Sequence, residues 1–315
     1  PDYFYIESLD DGNTVTLNTY LYSTSHSQYM TPTLQFSTDK RNWGTVTFDW
    51  SKSGNKNIDI PTVLNTGDKM YFRNDTGKFN YGVHDINFGT TWNSRLSFST
   101  NKNTNVGGDI RTLLNYIDVE TSSMRFNNTF GDLFYNNPHI VDASNLRLLY
   151  SSLEESCYSG MFNGCNSLTS APVLPDVNLE SGCYFRMFQN CTSLTSTPVL
   201  PDTTIKPYCY KSMFQGCTSL TTAPVLPAVN LESGCYYSMF QGCTSLTTAP
   251  ALPASTLEQS CYYSMFQGCT SLTTAPALPA STLKPYCYNS MFKDCKALTT
   301  APVLPAVDIF DGCYS

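Results

Sequence analysis

The sequence predicts a two-part chain: an N-terminal all-β sandwich, then an α/β solenoid of 26-residue turns, each with a short strand inside and a short helix outside. Three observations predict it. All 13 cysteines lie at or after Cys157. They form two series, Cys157, Cys183, Cys209, Cys235, Cys261, Cys287, Cys313 and Cys165, Cys191, Cys217, Cys243, Cys269, Cys295, both with a strict spacing of 26. The first hundred residues instead alternate polar and apolar at period two. A fixed period of this length with leucines at regular offsets marks a leucine-rich-repeat coil, whose copies must stack to cover their apolar sides.

The N-terminal part divides at its turn signals. Alternation runs through Val15 and Leu17, through Val46, Phe48 and Trp50, through "KMYFRN" and through "RLSFST". Asp11-Gly12, Asn42-Trp43-Gly44, Ser53-Gly54-Asn55, Thr66-Gly67-Asp68 and Asp75-Thr76-Gly77 lie between. Short strands so spaced predict a sandwich over 1–100. "NKNTNVGGD" (101–109) is the boundary, and 101–156 is a junction with a capping repeat. There "GGDIRTLLNY" (107–116) reads as a junction helix. "LFYNNPHIVDA" (133–143) aligns with "MFNGCNSLTSA" (161–171), placing Asn137 where later copies have cysteine. A polar, degenerate first copy closes the end of a solenoid.

The full repeats occupy 157–315, and the chain ends three residues into a further copy, as a piece of something longer would. At 100° per residue, Cys235, Tyr236, Met239, Phe240 and Cys243 fall within about 140° of one another, an amphipathic helix. The position before the second cysteine reads Gly164, Asn190, Gly216, Gly242, Gly268 and Asp294, residues that tolerate the left-handed helix end. Leu246, Ala249 and Ala251 then point in, and Thr248 and Pro250 point out. Prolines recurring at Pro172, Pro198, Pro224, Pro250, Pro276 and Pro302 hold this inner strand to about two to four residues.

Chemistry finds little purchase. Two cysteines eight residues apart on one helix lie roughly 12 Å apart along its axis, beyond the ~7 Å reach of a disulfide. Bridges between turns remain possible geometrically, but a cysteine within either series has an equal neighbour on both sides and no unique partner, so the pattern reads as buried free thiols. No C-x-x-C occurs and no histidine lies in the full repeats, so no metal or cofactor is expected. His26, His84 and His139 read as loop or strand surface, and "DDGN" (10–13) as a hairpin turn too short for calcium. Eighteen basic against 25 acidic residues give a net charge of −7, which argues against a nucleic-acid footprint. No apolar run reaches membrane-span length. The candidate contacts are therefore two stripes. One is the inner curve, with Ser196, Thr222, Thr248, Thr274 and Thr300 following Ser170. The other is an exposed outer row of Phe185, Lys211, Tyr237 and Tyr263. Glu180, Lys206, Glu232, Glu258 and Lys284 are placed to pair between turns.

"MFQGCTSLTTAPALP" with "CYYSMF" resembles the BspA-like leucine-rich-repeat proteins of anaerobic gut bacteria and of their phages. The "MF…C..L" core is similar to a repeat of mycoplasma surface lipoproteins. "DYFYIESLDDG" and "VGGDIRTLL" resemble segments that precede such repeats, so the likeness covers nearly the whole chain. It implies a non-enzymatic adhesion protein on a bacterial cell or virion surface, holding a protein or glycan of a host or bacterial surface. The rival expectation is a structural virion part, a fibre, tail or decoration protein docked through its sandwich and assembled into a larger particle.

Overall fold

The computed structural model describes residues 2–21, 33–47, 54–74, 94–114, 127–201, 204–226, 230–305 and 309–314. Phe48, Trp50, Asp75–Gly77, His26 and His84 lie outside them. Nine strands are described: β1 (Phe4–Ser8), β2 (Asn13–Leu21), β3 (Thr33–Ser37), β4 (Gly44–Thr47), β5 (Gly54–Leu64), β6 (Lys69–Arg73), β7 (Ser94–Thr100), β8 (Thr104–Asp109) and β9 (Ile140–Arg147). They form a six-stranded sheet, β4-β3-β6-β1-β8-β9, and a three-stranded sheet, β5-β2-β7. Period-two alternation buries Phe4, Ile6, Met70 and Phe72 on the first sheet and Val15, Leu17, Leu96 and Phe98 on the second. The sheets meet where the Phe98 ring lies 5.0 Å from Phe72 and 5.4 Å from Phe4.

Three expectations for this region are corrected. Asp10–Asn13 is not a hairpin turn, because it carries the chain from β1 in one sheet to β2 in the other. The sheet does not end at residue 100, since β8 and β9 extend it through the junction, and β9 pairs parallel to β8. The expected junction helix is the end of β8 followed by a 3₁₀ turn, Ile110–Leu113. The Asp109 carboxylate there accepts from the Arg111 guanidinium at 2.8 Å, and Thr112 Oγ1 accepts from the Phe4 N–H.

The larger correction concerns the repeats. No α-helix occurs among the described residues, so the α/β solenoid with helices outside is not the fold. In an α-helix each N–H bonds the carbonyl four residues back. Here Cys235, Tyr237, Met239, Gln241 and Cys243 bond three residues back, while Gly234, Tyr236, Ser238, Phe240 and Gly242 bond carbonyls 25 residues ahead, in the next layer. Every fourth residue takes a positive φ, +63° at Gly234, +52° at Ser238 and +75° at Gly242. The segment is a run of tandem tight turns with a four-residue unit, two side chains in and two out. Over nine residues a period of four and a period of 3.6 select the same buried positions. That coincidence is why the apolar pattern reads as a helix.

The inner strand is likewise reduced. The described bridges are isolated ones, Thr222 to Thr248, Thr248 to Thr274, and a second row from Asn230 through Thr256 to Thr282. With neither strand wall nor helical wall, the layers do not close into the expected solenoid. Ala251 is exposed and Leu252 is buried in its place, reversing that part of the expected alternation.

What holds the layers together is visible in two columns of rings. Phe162, Phe188, Phe214, Phe240, Phe266 and Phe292 stack at 5.6–5.9 Å with planes within 7° of parallel. Tyr158, Tyr184, Tyr210, Tyr236, Tyr262, Tyr288 and Tyr314 form the second column at 5.7–6.0 Å. Such offset stacks add to the burial of the rings themselves. The phenylalanine column runs on into the sandwich: Phe134 lies 5.2 Å from Phe162, 6.0 Å from Phe4 and 6.2 Å from Phe98.

Asn137 completes the joint. Its Nδ2 donates to the Phe98 carbonyl at 3.4 Å, and its Oδ1 accepts from the His139 N–H at 3.1 Å. In every full repeat a cysteine thiol makes the equivalent bond to a phenylalanine carbonyl. Asn137→Ala should therefore lower stability by about 1–3 kcal/mol, the cost of leaving buried polar groups unpaired. Asn137→Cys should lose less than half of that in the same urea denaturation series. Equal losses would show that the donor at this position does not matter.

Candidate functional site

The thiols come first, because they are the chain's only abundant reactive groups. All 13 are free and buried. Cys165, Cys191, Cys217, Cys243, Cys269 and Cys295 donate at 3.0–3.2 Å to the carbonyls of Phe134, Phe162, Phe188, Phe214, Phe240 and Phe266. Those of Phe162 to Phe266 also accept a backbone N–H three residues on, so the thiol fills the second lone pair. Members of the other series bond carbonyls 29 residues back, as Cys209 does to Glu180 at 3.2 Å. Burial pushes the Cys217 thiol up to about 12 and the Cys287 thiol up to about 11, away from reactivity. A nucleophile needs the opposite shift. The columns are structural. Burial also raises the ring hydroxyls beside them, such as Tyr184. No grouping of His, Cys, Asp and Glu among the described residues could hold a metal ion.

The inner row is exposed as expected. Ser196, Thr222, Thr248, Thr274 and Thr300 all face solvent, and the backbones of Thr222, Thr248 and Thr274 carry the bridges between layers. Sequence reasoning missed the valines beside them. Val173, Val199, Val225 and Val303 are 78–87 % exposed, and Ala251 and Ala277 hold the same place in their layers. The signal was present: a valine or alanine recurs between the prolines in each copy. A shallow hollow of roughly 290 Å³ lies among Pro276, Ala277, Pro279, Pro302, Val303 and Pro305. This face is neutral, nearly flat and almost the same in each layer.

The outer row differs from expectation. Phe185, Lys211, Tyr237 and Tyr263 are half-buried, not exposed, because each leans on its neighbour in the next layer. The Tyr237 and Tyr263 rings stack at 4.6 Å. Lys211 Nζ sits 4.5 Å from the Tyr237 ring, 5.2 Å from Tyr208 and 5.7 Å from Phe185. The Arg186 guanidinium lies 4.5 Å from the Phe185 ring. Contacts of this kind hold a cation in place without a carboxylate. Burial lowers the Lys211 pKa, and the Arg186 charge lowers it further.

Alongside runs a ladder of amides, also missed from the sequence. Asn163 donates to Gln189, Gln189 to Gln215, Gln215 to Gln241 and Gln241 to Gln267, at 2.6–3.1 Å. An amide nitrogen has two protons, so each rung keeps one for another partner. Row and ladder border a groove of roughly 380 Å³, lined by Arg186, Lys211, Tyr237, Tyr263, Lys293 and the three glutamines Gln215, Gln241 and Gln267. The structure thus places the two predicted stripes on separate faces and makes a concavity of the outer one. No ion pair joins Glu180, Lys206, Glu232, Glu258 or Lys284 among the described residues, against expectation.

The thiol columns set a pH limit. Up to the unfolded-chain value of about 8.5, folded and unfolded states both keep their protons and stability is level. Above it only the unfolded chain releases the protons of thiols that burial raises, such as Cys217 and Cys287, so stability falls as pH rises toward 12, by about 1.4 kcal/mol per pH unit for each thiol concerned. Urea midpoints should be level from pH 6 to about pH 8 and fall steeply beyond about pH 9; a flat profile to pH 11 would contradict thiol burial. Comparison with protein-family models, with curated proteins and with solved structures returns no match for this chain.

Proposed function

We propose that this is a non-enzymatic extracellular binding protein that holds a protein or glycan ligand along the outer groove of its repeat stack. The groove carries the reading. It is a concavity that gathers fixed cations, tyrosine hydroxyls and spare amide protons from five successive layers, and such convergence of polar groups is what recognition requires. The thiols offer no support for turnover, being buried. The resemblance of the repeats to BspA-like surface proteins supports display outside a cell.

The inner face supports the reading less. Its repeating Thr and Val side chains present one contact many times over, with no charge and little depth. Binding by the full chain to a glycan array and to intact host or bacterial cells tests the assignment. Tyr263→Ala should weaken whatever ligand is found by about 10-fold, the usual effect of truncating an aromatic anchor. Thr248→Ala with Thr274→Ala should leave it within about twofold, the range of surface contacts outside an anchor. The opposite ranking would move the site to the inner face. Melting curves for both variants separate lost contacts from lost folding.

A further inference from the structure

Three features of the groove specify the charge of its ligand. The first is the imbalance of its walls: Arg186, Lys211 and Lys293 line it, and no carboxylate does among the described residues, on a chain whose net charge is −7. Neither Arg186 nor Lys211 has an ion-pair partner among the described residues. Two like charges are therefore held near each other, one of them partly stripped of water, with no described residue of opposite sign paired to either.

The second is the backbone at Arg186. Its φ is +55°, at the place in the four-residue unit where other layers use Gly160, Ser212, Ser238, Ser264 and Ser290. Arginine in the left-handed region is strained, and such outliers cluster where a side chain has a task. Tyr208, whose ring holds Lys211, is at φ +60°, where neighbouring layers have Gly182 and Gly234. Arg186 and Tyr208 thus hold bulky side chains at positive-φ places where the adjoining layers use Gly or Ser.

The third is spacing. The cations stand at the two ends of the groove, Arg186 and Lys211 in adjacent layers and Lys293 three layers beyond Lys211. Between them lie only Tyr237, Tyr263, Gln215, Gln241, Gln267 and serines. A nucleic-acid strand carries a charge about every 3.4 Å and would set phosphates against uncharged amides. An acidic sugar chain alternates charged groups with runs of hydroxyls, which suits amide protons and phenols between two cationic ends.

Resting on the groove reading above, we infer that the ligand is an acidic saccharide chain. Its carboxylate or sulfate groups meet Arg186 and Lys211 at one end and Lys293 at the other, and its hydroxyls meet the amide ladder and the tyrosines. Charge-assisted bonds of this kind are the strong ones, and arginine is suited to either oxyanion.

The test is titration of the full chain with hyaluronate and κ-carrageenan, whose carboxylates and sulfates fall on alternate sugars, and with uncharged dextran and poly-L-glutamate. Binding is expected for one or both acidic saccharides and not for dextran, with the carboxylate and sulfate arms telling the two acids apart. The double variant Arg186→Gln/Lys211→Met should lose about 10-fold or more of that affinity, as removal of charged hydrogen bonds does, and Lys293→Gln should lose a smaller part. Lys211→Arg should retain binding, which a merely structural role for the lysine stem would not predict. Binding of dextran as tight as that of the acidic chains, or affinity unchanged in the double variant while Tyr263→Ala abolishes it, overturns the acidic ligand and leaves the groove standing. Poly-L-glutamate binding as tightly as the saccharides overturns the sugar. No binding by either acidic saccharide overturns the inference outright. Binding indifferent to Arg186, Lys211 and Tyr263 alike overturns the groove as well.

Discussion

Half of the backbone donors in each tandem-turn segment leave their own layer. Tyr236, Ser238, Phe240 and Gly242 give their N–H groups to the layer of Cys261, whose own donors go to the layer of Cys287. A buried, unpaired N–H is costly, so no layer is satisfied until a neighbour covers it. Side chains obey the same rule. Leu257 and Leu283 are 2 % and 0 % exposed beneath the layers that follow them. Cohesion thus runs along the stack, not within its turns, and each of the two thiol columns adds a bond between layers that alanine in the same space could not make. Serine would make it too, but at a larger cost of burying a strongly polar group. Cysteine is the small residue that is both apolar and a weak donor.

Such a stack needs a first layer that is not itself waiting for a neighbour, and the sandwich supplies it. β9 pairs with β8 on one side and hands on its own register through the bridge from Asp142 to Ser170 on the other. The sheet core and the phenylalanine column meet at Phe134, and Asn137 uses a carboxamide to reach the Phe98 carbonyl as later cysteines use a thiol. The two halves, so different in composition, share one continuous apolar interior.

This continuity explains what could be read from the letters alone. The 26-residue period, the buried stripe and the strands at β2, β6 and β7 are local patterns, and they were legible. The backbone of the stripe was not, because apolar positions four apart satisfy a helix over two turns. A small residue at every fourth place, Gly234, Ser238 and Gly242, was the available sign of left-handed turns, and only Gly242 and its equivalents were used, as helix ends. The pairing of β8 with β9 joins residues far apart in sequence and leaves no periodic trace. Of the groove, the row from Phe185 to Tyr263 was visible as the varying face. Arg186 and the glutamine ladder were not, since their meaning depends on neighbours one layer away.

Variation and function are tied by the same constraint. Interior positions must match their copies above and below, so Met239, Phe240 and Cys243 cannot change singly without leaving a gap or a clash in a close-packed column. Outward positions face no such template. At one of them successive layers write Ser159, Phe185, Lys211, Tyr237, Tyr263 and Asn289, six residues of five kinds on a backbone that barely changes. The threonine row, by contrast, is shared by consecutive layers and gives a ligand no reason to prefer one register over the next. A partner on that row could slide by a layer at little cost. One in the groove meets its cations at fixed layers only, so the groove can give a ligand an address along an otherwise repetitive molecule.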